Sequence, residues 1–99
     1  MAKYRWLSLR TAKKYLSEAK KKGVSKVARS KSGFFGTYQR AKTASKMKKL
    51  KHKSGQLWSV RRQNFLKRHL VQHKKKPTRR RCLAMIMWAY KPSNCPAAT

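Results

Sequence analysis

Negative charge is almost absent from this sequence. Glu18 is its one acidic residue, beside 29 lysines and arginines, and the formal net charge is +28. Catalytic sites that need paired carboxylates, such as two-metal nucleases and glycosidases, are excluded by this inventory. We therefore expect no enzymatic activity and no small-molecule substrate. Glu18 itself is expected to brace a helix by pairing with a lysine four residues away, either Lys14 or Lys22.

Long apolar runs are also missing. The longest one, residues 82–90, has nine residues, whereas a helix needs about 20 to cross a bilayer. The sequence therefore predicts no membrane span. Its N-terminus has no secretory signal pattern, and basic residues continue as far as Lys91, so a removable leader is not predicted either.

Cysteine is scarce, with Cys82 and Cys95 as the only two. Without a secretory signal a disulfide is not expected, and we interpret both as free thiols. His69 and His73 lie four residues apart and could join the cysteines in a zinc site. Because structural zinc sites usually contain a closely spaced cysteine pair, a packed thiol and two partly exposed imidazoles are favoured. No metal and no cofactor are predicted.

Apolar and aromatic residues are nevertheless plentiful. Hydrophobic residues make up 39% of the chain, including three Trp, four Tyr and three Phe, which is too many for a disordered basic tail. A chain of 99 residues has room for one small domain. We predict an all-α fold, a single domain over residues 1–99 with about three to four short helices, basic extended connectors and a tail.

The first half of the chain predicts two helices. Apolar residues recur at three- and four-residue spacings over 9–22, between a potential N-cap at Ser8 and a stop at Gly23. An aromatic stripe predicts a short helix over 33–41, although its glycines should weaken it. The lysine-rich residues 42–55 are expected to be a basic connector.

Two more helices are predicted in the second half. The first covers 56–72, and the second covers 78–90 and ends before Pro92. The second is apolar on nearly all sides and should lie at the centre of the domain, followed by a tail over 91–99. The large side chains expected in the core or in assembly contacts are Phe34, Tyr38, Trp58, Phe65, Leu83, Ile86, Trp88 and Tyr90.

The excess of cations implies a polyanionic partner that also supports folding, since like charges repel within so small a domain. Arginines are expected to make the specific contacts because a guanidinium grips phosphate bidentately. The segment 74–81 reads as a phosphate-binding or nuclear-localisation patch, and we favour phosphate binding. The expected polyanion-binding residues are Arg61, Arg62, Arg68, Lys74, Lys75, Lys76, Arg79, Arg80 and Arg81, with Lys48, Lys49 and Lys51 of the connector.

Some aromatic residues could stack on nucleic-acid bases. The candidates are Tyr4, Trp6, Phe34, Phe35 and Tyr38. Most of these rings are expected in the core, and Tyr4 and Trp6, which precede the first helix, are expected to be the exceptions. The sequence contains no helix-turn-helix, zinc-finger or RNA-recognition signature, so sequence-specific readout is not predicted.

Three blocks that cover about two thirds of the chain form a recognisable pattern. They are Val27-Ala28-Arg29 with Gly33-Phe34, Tyr38 and Arg40-Ala41; then Arg61-Arg62, Phe65 and Arg68-His69; then Pro77-Thr78-Arg79-Arg80, Leu83-Ala84, Ile86, Trp88-Ala89-Tyr90 and Pro92. The pattern resembles a short basic domain in uncharacterised proteins of large double-stranded DNA viruses of the phycodnavirus and giant-virus kind. The family tends to have glycine after the position of Ala41 and acids before that of Pro77, where this chain has further lysines.

The resemblance implies a viral origin and presence in the particle, but the family carries no established activity. Our first hypothesis is a structural virion protein, either a minor capsid component or an internal one. Its partners would be double-stranded DNA, acidic capsid proteins or an anionic membrane surface, in the virion and in the nucleus or cytoplasmic assembly site of the infected cell. The alternative is a small basic protein of a divergent or organellar ribosome, bound to ribosomal RNA.

Overall fold

The computed structural model describes residues 5–92 and 95–96. Within them the chain forms seven helices and no strand, apart from one isolated bridge between Lys51 and Leu57, so the all-α prediction is confirmed. The helices outnumber the three to four predicted. They are α1 (Leu9–Lys13), α2 (Leu16–Lys22), α3 (Lys26–Arg29), α4 (Phe34–Ala41), α5 (Ala44–Met47), α6 (Trp58–Lys75) and α7 (Arg79–Ile86).

The helix predicted over 9–22 is divided into α1 and α2. The Ser8 side chain caps α1 by accepting a hydrogen bond from a backbone N–H of the first turn, and Gly23 ends α2 in the left-handed conformation, φ +66°. Between them, the amides of Lys14 and Tyr15 bond carbonyls three residues earlier. This tighter winding interrupts the α-helix, which the apolar periodicity alone did not reveal.

The glycines of α4 are required by close packing. A Cβ atom on Gly36 would collide with the carbonyl oxygen of Ser30, and one on Gly33 would collide with that of Val27. The backbone of α4 therefore lies directly against the segment that includes α3, and its aromatic side chains are fully buried. The expected weakening of the helix was based on helix propensity, which takes no account of a neighbouring backbone, so the sequence did not reveal this packing.

The predicted connector over 42–55 contains α5. Thr43 caps this helix by accepting a hydrogen bond from the amide of Lys46. Met47 is fully buried and packs in a cluster with Trp58 and the aromatic residues of α4. Met47 therefore anchors this helix of the lysine-rich segment to the core.

The helix α7 lies at the centre of the domain, in contact with both α2 and α6. It ends at Ile86, four residues before its predicted end at 90, because the chain turns at Ala89 with φ +62°. The Tyr90 amide bonds the Met85 carbonyl and the Ala89 amide bonds the Ile86 carbonyl, as in a Schellman cap.

Within the described residues, no helix is long and apolar enough to cross a membrane.

Cys82 and Cys95 form a disulfide, with their Cα atoms 5.5 Å apart. The prediction of free thiols was wrong. It rested on the missing secretory signal and did not consider that the chain after α7 brings Cys95 next to Cys82. Of the predicted tail over 91–99, residues 93–94 and 97–99 lie outside the described residues, as does Tyr4 of the stacking candidates.

Five of the eight side chains expected in the core are buried, and three are partly exposed. The buried ones are Phe34, Tyr38, Trp58, Leu83 and Ile86. The partly exposed ones are Phe65, Trp88 and Tyr90, which pack at the edge of a small cluster around Leu66 and Met85.

Candidate polyanion-binding surface

Lysines and arginines occupy different places in this fold. Of the eighteen lysines among residues 5–92, every one except Lys22 is exposed. In contrast, at least six of the ten arginines donate hydrogen bonds to other parts of the chain. These six are Arg29, Arg40, Arg62, Arg79, Arg80 and Arg81.

Arg62 is a buried structural cation and not a surface group. Only 3% of the residue is exposed. Its Nε donates to the Trp88 carbonyl at 2.7 Å, and its Nη2 donates to the carbonyls of Ala89 at 2.8 Å and Arg5 at 3.0 Å. The guanidinium also lies 4.2 Å from the ring centroid of Trp6. Burial lowers the pKa of Arg62 to about 10, so it remains charged at neutral pH.

The Arg62 guanidinium lies inside the fold and packs against the Trp6 ring, so the prediction that Arg62 binds a partner's phosphate was wrong. Trp6 is partly exposed, and its accessibility to bases stays a prediction. The contacts link α6 to the N-terminal segment, 57 residues away in sequence, and to the end of α7, 26 residues away. Such distant partners have no signature in a local pattern.

Arg80 and Arg81 bind carbonyls at the ends of helices. Arg80 donates to the Lys22 carbonyl at the end of α2. Arg81 donates to the Lys76 carbonyl at 2.7 Å, just beyond α6. The last carbonyls of a helix lack intrahelical partners and carry partial negative charge. With acidic side chains almost absent, these helix ends take the place of acids as partners for arginine.

Arg79 pairs with the single acid. Its Nε and Nη2 donate to the two carboxylate oxygens of Glu18 at 2.7 and 2.8 Å, and its Nη1 donates to the Pro96 carbonyl at 2.9 Å. The hydrogen bond from Arg79 holds the pKa of Glu18 below its usual value, and the same bond raises the pKa of Arg79. The predicted pairing of Glu18 with Lys14 or Lys22 was therefore wrong.

The arginine half of the segment 74–81 is thus engaged within the fold, while its lysine half is exposed. Lys74, Lys75 and Lys76 all face solvent, at the end of α6. The other exposed cluster, here named the connector lysines, consists of Lys42, Lys46, Lys48, Lys49, Lys51 and Lys53.

An open groove of about 1070 Å³ runs beside α6; it is named the α6 groove. Four cations line it: Arg61, Lys67, Arg68 and Lys75. Three amide side chains, Gln56, Asn64 and Gln72, also line it. The apolar part of the lining includes Phe65 and Trp88. Of the predicted polyanion-binding residues, the α6 groove therefore brings together Arg61, Arg68 and Lys75.

Phe65 and Trp88 belong to a column of four stacked rings. Phe34 and Trp88 have centroids 4.8 Å apart, Trp88 and Phe65 are 4.5 Å apart, and Phe65 and His69 are 3.9 Å apart, with interplanar angles of 14° to 20°. The column runs from the fully buried Phe34 to the partly exposed His69. Burial, with Arg68 and Arg81 nearby, lowers the pKa of His69, which favours the neutral ring in the stack.

A smaller pocket of about 350 Å³ lies between α4 and the connector lysines. Arg40, Lys51 and Lys53 line it together with His52, whose ring meets Trp58 edge-on at 5.1 Å. Partial burial, with Arg61 and Lys53, lowers the pKa of His52. The pocket is cationic, but Arg40 already donates to the Lys31 carbonyl and to the Thr37 hydroxyl.

The zinc site considered from the sequence loses two ligands, because Cys82 and Cys95 bond each other. His73 is fully buried and not partly exposed as expected. In the part of the chain that the structure describes, no three His, Cys, Asp or Glu side chains come together as a metal site would need.

Comparison with protein-family models, with curated proteins and with solved structures finds no match for this chain. Its function must therefore be inferred from the chemistry of the surface. That surface consists of exposed lysines and the α6 groove, and it carries no carboxylate among the described residues other than that of Glu18, which Arg79 binds.

Proposed function

We propose that the chain is a non-enzymatic nucleic-acid-binding protein that serves as a structural component of a large double-stranded DNA virus particle, either in a minor capsid position or inside the particle. One observation carries the proposal. The single acid already pairs with Arg79, so seventeen exposed lysines have no counter-charge within the described residues.

Nucleic acid supplies that counter-charge most effectively. Exposed ammonium groups displace condensed counterions from a phosphate backbone, and the released ions drive binding without regard to sequence. The exposed lysines are spread over five helices and the segments between them, and are not gathered along one helix. This distribution suits embedding between surrounding strands better than reading a groove. Acidic capsid proteins and an anionic membrane surface are the competing partners.

The particle setting rests on two supports. The first is the resemblance to the basic domain of large DNA viruses. The second is the disulfide between Cys82 and Cys95, because disulfides persist in virions and in oxidising compartments but are rare where glutathione keeps thiols reduced. The ribosomal alternative has the α6 groove in its favour, since folded RNA offers many unpaired bases.

Binding to a 30-base-pair duplex at several salt concentrations tests the proposal. If about ten cations contact phosphates, the logarithm of the binding constant falls against the logarithm of salt concentration with a slope of about −9. Replacing Lys48, Lys49 and Lys51 with glutamine should reduce the slope by about 3. Tighter binding to polyglutamate than to DNA at equal charge would overturn the proposal in favour of an acidic protein partner.

The setting is tested separately. Cross-linking in intact particles should join the chain to packaged DNA. Co-purification with ribosomal RNA would instead overturn the viral assignment and support the ribosomal one.

A further inference from the structure

The α6 groove combines cations with the edges of stacked aromatic rings. The two faces of Phe65 are covered by Trp88 and by His69, and Trp88 is stacked between Phe34 and Phe65. The parts of Phe65 and Trp88 that line the groove are therefore ring edges. The edge of an aromatic ring carries partial positive charge, and it attracts the π-face of another ring.

We infer that the α6 groove binds unpaired nucleotides, with a base packed face-on against the edges of Phe65 and Trp88 and its phosphates held by the flanking cations. This inference rests on the proposed function and adds the class of ligand, single-stranded nucleic acid. A base within a duplex already stacks on both neighbours and cannot present its face to the groove.

The charge of the groove supports the same occupant. Arg61 and Arg68 lie seven residues apart, two turns along α6, and Lys75 follows after another two turns. At a rise of about 1.5 Å per residue, each interval is about 10 Å. The three cations therefore form a row of roughly 20 Å along the wall of the groove, over which several consecutive phosphates of an extended strand can be contacted.

The size and the polar lining of the groove also fit nucleotides. Small-molecule pockets enclose about 300 to 1000 Å³, and the α6 groove of about 1070 Å³ is open enough to take more than one nucleotide. The amides of Asn64 and Gln72 line the same groove, and such amides can donate to and accept from the edge of a base.

Two labelled 20-mers provide the first test on the full, oxidised chain: a thymidine strand and an abasic strand with the same phosphates. An edge-to-face contact between two rings contributes about 0.5 to 1.5 kcal/mol, or about 2- to 13-fold in affinity. The thymidine strand should bind tighter by such a factor, and the difference should persist at high salt. Equal affinity for both strands would overturn the inference and leave the proposed function intact, whereas failure of both strands and of duplex DNA to bind would overturn the proposed function.

A variant locates the base. Phe65→Leu should reduce the preference for the thymidine strand about 2- to 13-fold, without changing affinity for the abasic strand. Tyr15→Leu is the matched control, since it removes a partly buried ring that does not line the groove. An unchanged preference in Phe65→Leu would overturn the inference.

A second measurement does not depend on how a variant folds. A 20-mer that contains 5-bromouracil, irradiated on the wild-type chain and mapped by mass spectrometry, should cross-link to Phe65, Trp88 or His69. Cross-links confined to Trp6 or Trp58 would place the base elsewhere and overturn the assignment to the α6 groove.

Discussion

Arg62 donates from Nη2 to the carbonyl oxygen of Ala89 at 2.8 Å, and this contact joins the buried guanidinium to the turn that ends α7. Ala89 has φ +62°, so its carbonyl turns back towards the domain, where the Leu7 amide also donates to it at 2.7 Å. Three separate stretches of chain meet at one carbonyl. A cation in this position is part of the fold and not of the binding surface.

Replacing Arg62 with methionine should therefore affect folding. The change leaves the buried carbonyl of Ala89 and the partly buried carbonyls of Trp88 and Arg5 without this donor, and we expect a loss of about 3 kcal/mol in the free energy of unfolding. Urea unfolding followed by circular dichroism measures it. Arg68→Met, at an exposed position, is the control and should change stability by less than about 0.5 kcal/mol; equal effects of the two variants would contradict the structural role.

Gly36→Ala tests the close approach of α4 to the segment before it. Alanine favours a helix by up to about 1 kcal/mol over glycine, so propensity alone predicts stabilisation. The added Cβ would collide with the Ser30 carbonyl, and we expect a net loss of about 1 to 3 kcal/mol. Gln63→Ala at an exposed position of α6 is the control for a helical substitution, and stabilisation by Gly36→Ala in urea unfolding would contradict the packing.

Local features of this chain were predictable and distant pairings were not. Ser8 and Gly23 mark helix ends in the sequence and in the structure, because capping depends on a few adjacent residues. The partners of Arg62 and of Glu18 lie 26 to 61 residues away, and no short-range rule selects them. In a sequence with one acid, the arginines looked like surface charge, although at least six of them donate hydrogen bonds to backbone carbonyls.

The same limit applies to the candidate surface. The lysines Lys74, Lys75 and Lys76 are exposed, consistent with a role on the surface, because an ammonium without a partner stays in water. The aromatic column was missed, since Phe65 and Trp88 had been assigned to the core or to assembly contacts. Only the three-dimensional arrangement shows that their edges line the α6 groove.

Reduction of the disulfide should weaken the domain measurably. Cys82 and Cys95 close a loop with a sequence separation of 13, and a cross-link over such a loop stabilises by about 3 kcal/mol in the chain-entropy account. Unfolding in urea with and without dithiothreitol should show a loss of this size. Cys95→Ser is the control, because its stability should not respond to the reductant; a wild-type chain that is equally indifferent would contradict the disulfide.

The ion pair of Glu18, the single carboxylate side chain, should make the stability of the domain depend on pH in the acid range. The pKa of Glu18 is lower in the folded chain than the usual value of 4.5 because Arg79 donates to it. Its contribution to stability is therefore present above pH 4.5 and is lost as the pH falls through the lowered folded value. The pair is partly exposed, so we expect a contribution of about 1 kcal/mol.

The measurement is the free energy of unfolding between pH 6 and pH 2 for the wild type and for Glu18→Gln. The lowered pKa values of His52 and His69 give both proteins a common loss of stability on acidification below about pH 6.5, which the comparison removes. The difference between the two proteins should shrink below pH 4.5. A difference that stays constant down to pH 2 would show that Glu18 does not form the ion pair.

The lysines of segment 74–81 are exposed, whereas its arginines bond within the fold. Two triple variants of this segment should therefore differ in DNA binding and in stability. Replacing Lys74, Lys75 and Lys76 with glutamine removes three exposed charges, and the salt slope for DNA binding should fall by about 3. Its stability should be unchanged or slightly raised, because fewer like charges repel one another. The matched variant replaces Arg79, Arg80 and Arg81 with glutamine, and it should lose the Glu18 pair and two helix-end contacts.

We expect the arginine variant to lose at least about 3 kcal/mol in urea unfolding. The salt slope should fall by less than in the lysine variant when binding is measured at a temperature where both are folded. The two variants carry the same change in net charge, so a purely electrostatic coat would affect binding equally. Equal salt slopes and equal stabilities would therefore contradict the separation of structural arginines from binding lysines.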